Sequence, residues 1–266
     1  MSTLNSLELP TPGDADPGPA ASGARGRPVT RPAPPNLAEL SPTIHRYPPG
    51  TRFGVMSDSH GQRERTAHIA QRLVRDEGCG AIIHLGDFED IRVMDALAGL
   101  GRPVHLVLGN CDWDVAGMSE YASTIGLQVD HPVGLIEVAP AGSNSPNVGD
   151  HFDNSSDSAD VGRACEGAPR PIRIVYTHGH LTPRMEQAVR LEVPWLLHGH
   201  THILADGWMG ATRIVNPGAL QRAKTYTVCV LDVGRESMGD QAHADARIRA
   251  RTPQADGSVR FIEVKR

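Results

Sequence analysis

Five short segments place carboxylate, amide and imidazole groups directly after hydrophobic runs. Met56-Ser57 leads into Asp58-Ser59-His60-Gly61, Leu85 into Gly86-Asp87, and Leu108 into Gly109-Asn110-Cys111-Asp112. Tyr176 leads into Thr177-His178-Gly179-His180, and Leu197 into His198-Gly199-His200-Thr201-His202. Imidazole and carboxylate together suit medium-hard divalent ions such as Mn, Fe, Zn or Ni. The four cysteines are scattered, so no thiolate cluster favours a soft structural site. Glycine beside these groups lets the chain turn sharply with no side chain between backbone and ligand. In an extended segment, His200 and His202 point to one face by the period of two, as do Asp58 and His60.

One such element would carry little weight. A histidine at a strand end is more often a hydrogen-bonded surface or core residue than a ligand, and an Asp-x-His or a Gly-Asp alone is weak. Among thirteen histidines, His45, His68, His105, His131, His151 and His243 carry no motif. His84 and His198 lie inside apolar runs and read as packed. Five elements, each ending an expected strand, are hard to assign to chance.

The elements that must position them alternate. Residues 53–56 read as a buried strand. Residues 64–77 read as a helix, with Ala67, Ala70, Leu73 and Val74 on one face and Gly78 and Gly80 at its end. Strands are expected at 81–85 and 104–108, with a helix at 90–100 between them. This β-α-β-α-β rhythm predicts an α/β sheet whose functional loops follow the carboxyl ends of strands. The second half is richer in strands, at 133–138, 172–177, 195–198, 203–208, 212–215 and 227–233, with one helix at 183–192. A last strand at 259–264 is expected to pair with 227–233.

Composition bounds the rest. Residues 1–47 are rich in Pro, Gly, Ala and Ser and read as a disordered tail, because they cannot bury enough apolar surface to offset ordering. The remaining 48–266 read as one domain, with a disordered surface insertion at 140–171. The first residues show no secretory or transit pattern, and no apolar run approaches the roughly 20 residues that span a bilayer. Scattered cysteines fit reduced thiols, so a soluble cytoplasmic protein is expected. Net charge is −5 with dispersed Lys and Arg, which argues against nucleic acid as the main partner.

The order Asp58-x-His60, Gly86-Asp87, Gly109-Asn110, His178-Gly179-His180 and Gly199-His200-x-His202 resembles the calcineurin-like metallophosphoesterases. The spelling Gly-Asn-Cys-Asp, with Asn216-Pro217-Gly218 later, is similar to the YfcE-type phosphodiesterase branch. The resemblance implies a four-layer αββα sandwich of two mixed β-sheets flanked by helices. It also implies two divalent metal ions, manganese being the expected pair. Asp58, His60 and His202 would bind one ion, Asp87 would bridge, and Asn110, His178 and His200 would hold the other. His180 would lie outside this set, in packing or substrate contact.

Two positions depart from many relatives. Cys111 stands where a histidine is thought to help protonate the leaving group, and a neutral thiol is a poor substitute near neutral pH. Ala219 stands where a serine often follows Asn-Pro-Gly, which puts a minor substrate contact in doubt. The implied activity is hydrolysis of a small phosphodiester by metal-generated hydroxide, with Asp87, Asn110 and Cys111 nearest the chemistry. A phosphomonoesterase of the same fold and a non-catalytic interaction scaffold are the alternatives.

Overall fold

Alternation along the strands decides the layers. In the computed structural model, which describes residues 36–41, 43–140, 170–233 and 257–265, the strands run as follows. They are Ile44–Tyr47 (β1), Arg52–Met56 (β2), Ala81–His84 (β3), Val104–Leu106 (β4), Gln128–Val129 (β5) and Val133–Val138 (β6). Then come Ile172–Thr177 (β7), Trp195–Leu197 (β8), Ala205–Met209 (β9), Thr212–Asn216 (β10), Tyr226–Val233 (β11) and Gly257–Val264 (β12). The helices are Arg63–Arg75 (α1), Ile91–Asp95 (α2), Val115–Thr124 (α3) and Thr182–Arg190 (α4), with a 3-10 turn at Leu37–Glu39.

The strands form two mixed six-stranded sheets, ordered β12-β11-β2-β3-β4-β5 and β1-β6-β7-β8-β10-β9. Phe53, Val55, Ile83 and Leu231 of the first sheet meet Ile136, Ile174, Tyr176 and Trp195 of the second in one buried core. The residues between them point outward. Ile82, Leu106 and Val230 pack against Ile69 and Leu73 of α1 and Met118 of α3. Leu135, Val175 and Leu196 pack against Ala188 of α4. Each sheet is therefore apolar on both faces, which requires helices outside and sheet against sheet inside. The result is the expected αββα sandwich of two mixed sheets.

Local chemistry explains the element ends. Thr66, Ile69, Ala70 and Leu73 bury one face of α1, and Gly78 takes the left-handed conformation after it at φ +67°. The Asp90 side chain caps α2 by accepting from Arg92 N at 2.9 Å. The helix expected through residue 100 nevertheless stops at Asp95, and the chain turns onward through Gly99 and Gly101, both at positive φ. The expected strand at 203–208 is shifted to Ala205–Met209, and 104–108 shortens to Val104–Leu106. The pairing of β11 with the last strand is antiparallel over all eight residues, Tyr226 opposite Val264 through Val233 opposite Gly257.

The expected tail is corrected at its end. Ile44–Tyr47 is not structureless: it adds to the sheet edge parallel to β6, Ile44 opposite Leu135 and Tyr47 opposite Val138. Its sequence, Ile-His-Arg-Tyr, has no clean alternation, and its partner lies about ninety residues on, so nothing local marks it. Leu37–Glu39 is likewise ordered, capped by Asn36, whose side chain accepts from Ala38 N at 3.0 Å. The rest of the expected tail, 1–35, and the core of the expected insertion, 141–169, lie outside the described residues. Two more elements had no expectation, α3 and β5. Helix α3 buries only Met118 and Ala122, too few to show a helical period.

Because β1 is anchored by backbone pairing and by His45 and Tyr47 side chains, its removal should cost stability. A chain beginning at residue 48 is expected to be about 2–4 kcal/mol less stable than one beginning at residue 36, the scale of several lost hydrogen bonds. Urea unfolding of both chains measures this, and coincident midpoints would show that β1 contributes nothing.

Candidate metal centre

The five motifs converge because their strands are neighbours. Strands β2, β3 and β4 are parallel and adjacent, so the segments after them leave at one edge. Pairing continues past the strands: Asp58 N donates to Gly86 O at 3.0 Å, His60 N to Asp87 O at 3.0 Å, and Gly61 N to Phe88 O at 2.9 Å. In the facing sheet β7 and β8 are also parallel, and Gly199 N donates to His178 O at 2.8 Å.

Asp112 ties the segments after β3 and β4 together. Its buried carboxylate accepts from the backbone N–H of Asp87 (2.9 Å), Phe88 (2.7 Å), Glu89 (3.0 Å) and Gly109 (2.8 Å). Burial raises the Asp112 carboxyl, and these backbone donors oppose that rise. Gly109 is required by close approach: a Cβ there would lie 2.1 Å from Asp87 Oδ1. Asn216 does similar work for the last motif, donating to Gly199 O at 2.9 Å and Thr201 Oγ1 at 3.0 Å.

The backbone at the site is strained. Among the described residues, non-glycine residues with left-handed φ are Asp58 (54°), His60 (41°), Asp87 (57°), Glu89 (60°), Glu192 (51°), His200 (68°), His202 (59°) and Arg222 (57°). All but Glu192 belong to this one cluster. Such conformations persist only where the surroundings over-determine them, and they gather at functional sites. They also correct the extended-chain expectation for Asp58/His60 and His200/His202. Neither pair lies on a strand; left-handed kinks, not the period of two, aim these side chains.

The ligand atoms are brought together. Asp58, His60, Asp87 and His202 each offer one atom within 4.8 Å of the others. His60 Nε2 lies 3.1 Å from His202 Nε2 and 3.8 Å from Asp87 Oδ2. His202 Nε2 lies 3.2 Å from Asp58 Oδ1. On the other side of the same carboxylate, His178 Nε2 lies 3.4 Å from Asp87 Oδ1 and 3.1 Å from Asn110 Oδ1. The His200 ring centroid is 5.2 Å from that of His178. Asp87 thus touches both halves. His180 sits beside the second half, its ring 5.3 Å from His178 and 6.3 Å from His200.

This arrangement fits cations. Asp58 and Asp87 are buried carboxylates, and Asp58 Oδ1 has no hydrogen-bond partner. Buried, unpartnered carboxylate oxygens facing imidazole nitrogens are costly without a positive charge. Burial works against the Asp87 carboxylate, yet His178 and the Cys111 N–H (2.8 Å from Oδ1) hold its carboxyl well below the usual range. Burial likewise disfavours the His178 cation, but neighbouring Asp87 raises its pKa on balance. His178 Nδ1 meets Leu85 O at 2.7 Å, which leaves Nε2 as the free ligand nitrogen. Cys111 is pushed up to about 11 by burial and by the Asp87 charge, and its Sγ accepts from Asn110 Nδ2 at 3.5 Å.

Sequence reasoning missed four contributors. Asp112 and Asn216 lay inside quoted motifs, but their backbone-holding role had no local signal. Glu89 Oε1 meets His60 Nδ1 at 2.9 Å. Arg222, 133 residues further along, grips Glu89 at 2.5 and 3.0 Å, a spacing no pattern reveals. His84 and His198 are packed as expected. Burial lowers the His84 imidazole to about 3, and it meets Ser59 Oγ at 2.6 Å. Ala219 is fully buried.

Residues 52–236 match the model of the calcineurin-like phosphoesterase superfamily domain. The chain belongs to that superfamily. Among solved structures, this calcineurin-like chain is similar to an archaeal phosphodiesterase at 18% identity and TM-score 0.52, over 80% of this chain and 99% of that one. It is also similar to the phosphoesterase YfcE from E. coli (18% identity, TM-score 0.44, 69% of this chain and 91% of that one). Vps29 from Cryptosporidium parvum is a third (14% identity, TM-score 0.44, 82% and 99%). At these identities the likeness is one of fold. No curated protein matches the sequence.

If Asp112 holds the calcineurin-like site together, Asp112→Asn turns an amide N–H toward backbone donors and removes the charge. Thermal or urea unfolding is expected to show a loss of about 2–4 kcal/mol. Unchanged stability would mean that the four backbone bonds are not what fixes these segments.

Proposed function

We propose that this chain is a dinuclear metal-dependent phosphodiesterase acting on small phosphodiesters. The observation that supports the reading best is Asp87, a buried carboxylate with one oxygen toward His178 and the other toward His60. In this reading Asp58, His60 and His202 hold one divalent ion and Asn110, His178 and His200 the other, with Asp87 shared. Mixed carboxylate, amide and imidazole ligands suit Mn, and also Fe, Zn or Ni. Two such ions, when bound, supply Lewis-acid charge and an activated water near neutral pH.

The chain's own groups supply positioning. Glu89 fixes the His60 ring by taking its Nδ1 side, and Arg222 fixes Glu89, so Nε2 is presented inward. Asn110 and His200 are exposed, which leaves the second half open to a ligand from solvent. With Oδ1 turned to the second ion beside His178 Nε2, the Asn110 Nδ2, one hydrogen of which reaches Cys111 Sγ, would keep the other for a non-bridging phosphoryl oxygen, where a preorganised donor favours the charge-rich transition state. Nothing in this set is a side-chain nucleophile, so direct attack by water fits better than a covalent intermediate. Cys111 offers a thiol where an acid would protonate the leaving oxygen, and a thiol with a raised pKa does this poorly. The preferred substrates are therefore esters with good leaving groups. Cytoplasmic localisation belongs to the same reading. Among the described residues no helix is long and apolar enough to cross a membrane.

Metal-stripped protein refilled with Mn is expected to hydrolyse bis-p-nitrophenyl phosphate faster than p-nitrophenyl phosphate. Asp87→Asn should lower kcat/KM by about a thousandfold, the scale of losing one preorganised charge partner. Preference for the monoester would reassign the substrate class, and a folded protein inactive with every divalent metal would leave a binding role.

Leaving-group dependence tests Cys111. Across aryl esters of rising leaving-group pKa, Cys111→His should accelerate the poorest substrates roughly tenfold or more while changing the best ones little. Parallel slopes for the two proteins would remove Cys111 from leaving-group chemistry.

A further inference from the structure

A second cluster of ligating groups lies apart from the centre described above and shares no residue with it. His45 on β1, His105 on β4 and Asp130 just after β5 each offer one ligand atom within 4.8 Å of the others. His45 Nε2 lies 2.7 Å from Asp130 Oδ1. Tyr176 donates its hydroxyl to Asp130 Oδ2 at 2.5 Å. Tyr47 meets the far nitrogen of His105, Nε2, at 2.5 Å. The cluster is largely enclosed, with His105 1% exposed, Asp130 9% and the His45 side chain 15%.

One atom in this cluster is left over. His105 Nδ1 is buried and has no hydrogen-bond partner, and the nearest carboxylate oxygen, Asp130 Oδ2, is 3.6 Å away. With Nε2 taken by the Tyr47 hydroxyl, Nδ1 is the ring nitrogen that faces the Asp130 carboxylate in a low-dielectric space. A proton on Nδ1 serves that pair, and a divalent cation can take the proton's place between nitrogen and carboxylate. The second ring nitrogen engaged by a hydrogen bond is the usual accompaniment of metal-ligating histidine. Bonds of about 2.0–2.2 Å in a tetrahedral set put ligand atoms roughly 3.3–3.6 Å apart; His105 Nδ1 and Asp130 Oδ2 stand at 3.6 Å, while the 2.7 Å between His45 Nε2 and Asp130 Oδ1 has to open as an ion enters. Burial would raise the Asp130 carboxyl, but the surrounding His105, His45 and Tyr176 pull it down to about 2, so it is ionised.

We propose that His45, His105 and Asp130 form a structural site for one divalent transition-metal ion of the zinc class. The Tyr176 hydroxyl or a water would complete the shell. Its three ligands come from β1 at the edge of one sheet and from β4 and the segment after β5 in the other. A bound ion therefore clamps the N-terminal strand across the two layers. The site is closed rather than open to substrate, which marks it as structural.

The test counts ions in the full chain loaded with zinc, desalted and measured by elemental analysis. Wild type is expected to hold one ion more than His45→Gln, which keeps a hydrogen bond to Asp130 but loses the imidazole, with phosphodiester hydrolysis unchanged. In an Asp58→Asn/Asp87→Asn chain, which disables the first centre, one zinc ion should remain. Zinc should raise the Tm of that chain by about 5 °C, and adding His45→Gln should abolish both effects. Equal ion counts for wild type and His45→Gln would overturn the proposal, as would a folded double variant that retains no zinc. The comparison of wild type with His45→Gln decides the matter even where the double variant fails to fold. Absence of catalytic activity alone bears only on the first centre.

Discussion

Everything at the edge that carries the five motifs depends on burying carboxylates on a backbone that does not favour its own conformation. Asp58, Asp87 and Asp112 are all buried within one end of the sandwich. Asp112 is satisfied by four backbone donors, so its charge is spent on geometry. It pins the turn after β3 to the turn after β4, and so holds Asp87 and Glu89 at left-handed φ. Asp58 and Asp87 are only partly satisfied by protein, and that difference separates scaffold from site. A carboxylate fully supplied with hydrogen bonds has no remaining lone pair to offer a metal, whereas one with an orphaned oxygen does.

The same contrast explains what the sequence made legible. Strands β6 and β7 were read to the residue because both of their faces are covered, giving continuous apolar runs between polar breaks. The candidate ligands stand out in the sequence because each motif follows such a run directly, where a parallel strand must end. Strand β1 was not, because a four-residue edge strand with His and Arg at its centre resembles a loop until its distant partner is known. Helix α3 was hidden for a related reason: with only Met118 and Ala122 buried, it presents no stripe. The extended reading of His200 and His202 failed because periodicity describes regular backbone, and the site is built from its interruption. Glu89 and Arg222 are separated by 133 residues, a contact that exists only after both sheets have packed.

Fold and site are fixed by different features of the chain. The likeness to an archaeal phosphodiesterase spans 80% of this chain at 18% identity, so the fold is shared with few identical residues. That is expected of a core chosen for volume and apolarity rather than for identity. The site tolerates less, because close approach is absolute: a Cβ on Gly199 would fall 1.9 Å from Ser57 Oγ, and one on Gly109 would overlap Asp87. Few residue types satisfy such positions.

The two polar clusters of this molecule obey opposite rules of access. At the edge that carries the five motifs Asn110 and His200 are exposed, so a group from solvent can reach that half of the cluster. Between the sheets, His105 and Asp130 are sealed by Tyr47 and Tyr176, and Gly134 makes room for that seal. A Cβ on Gly134 would lie 2.0 Å from Tyr176 Cζ, so a side chain there would displace the ring whose hydroxyl reaches Asp130. Open coordination serves turnover, while closed coordination serves cohesion of elements far apart in sequence. On that argument the two proposed centres would share ligand chemistry and differ in access, the one at the edge suited to reaction and the one between the sheets to holding an otherwise weakly specified strand.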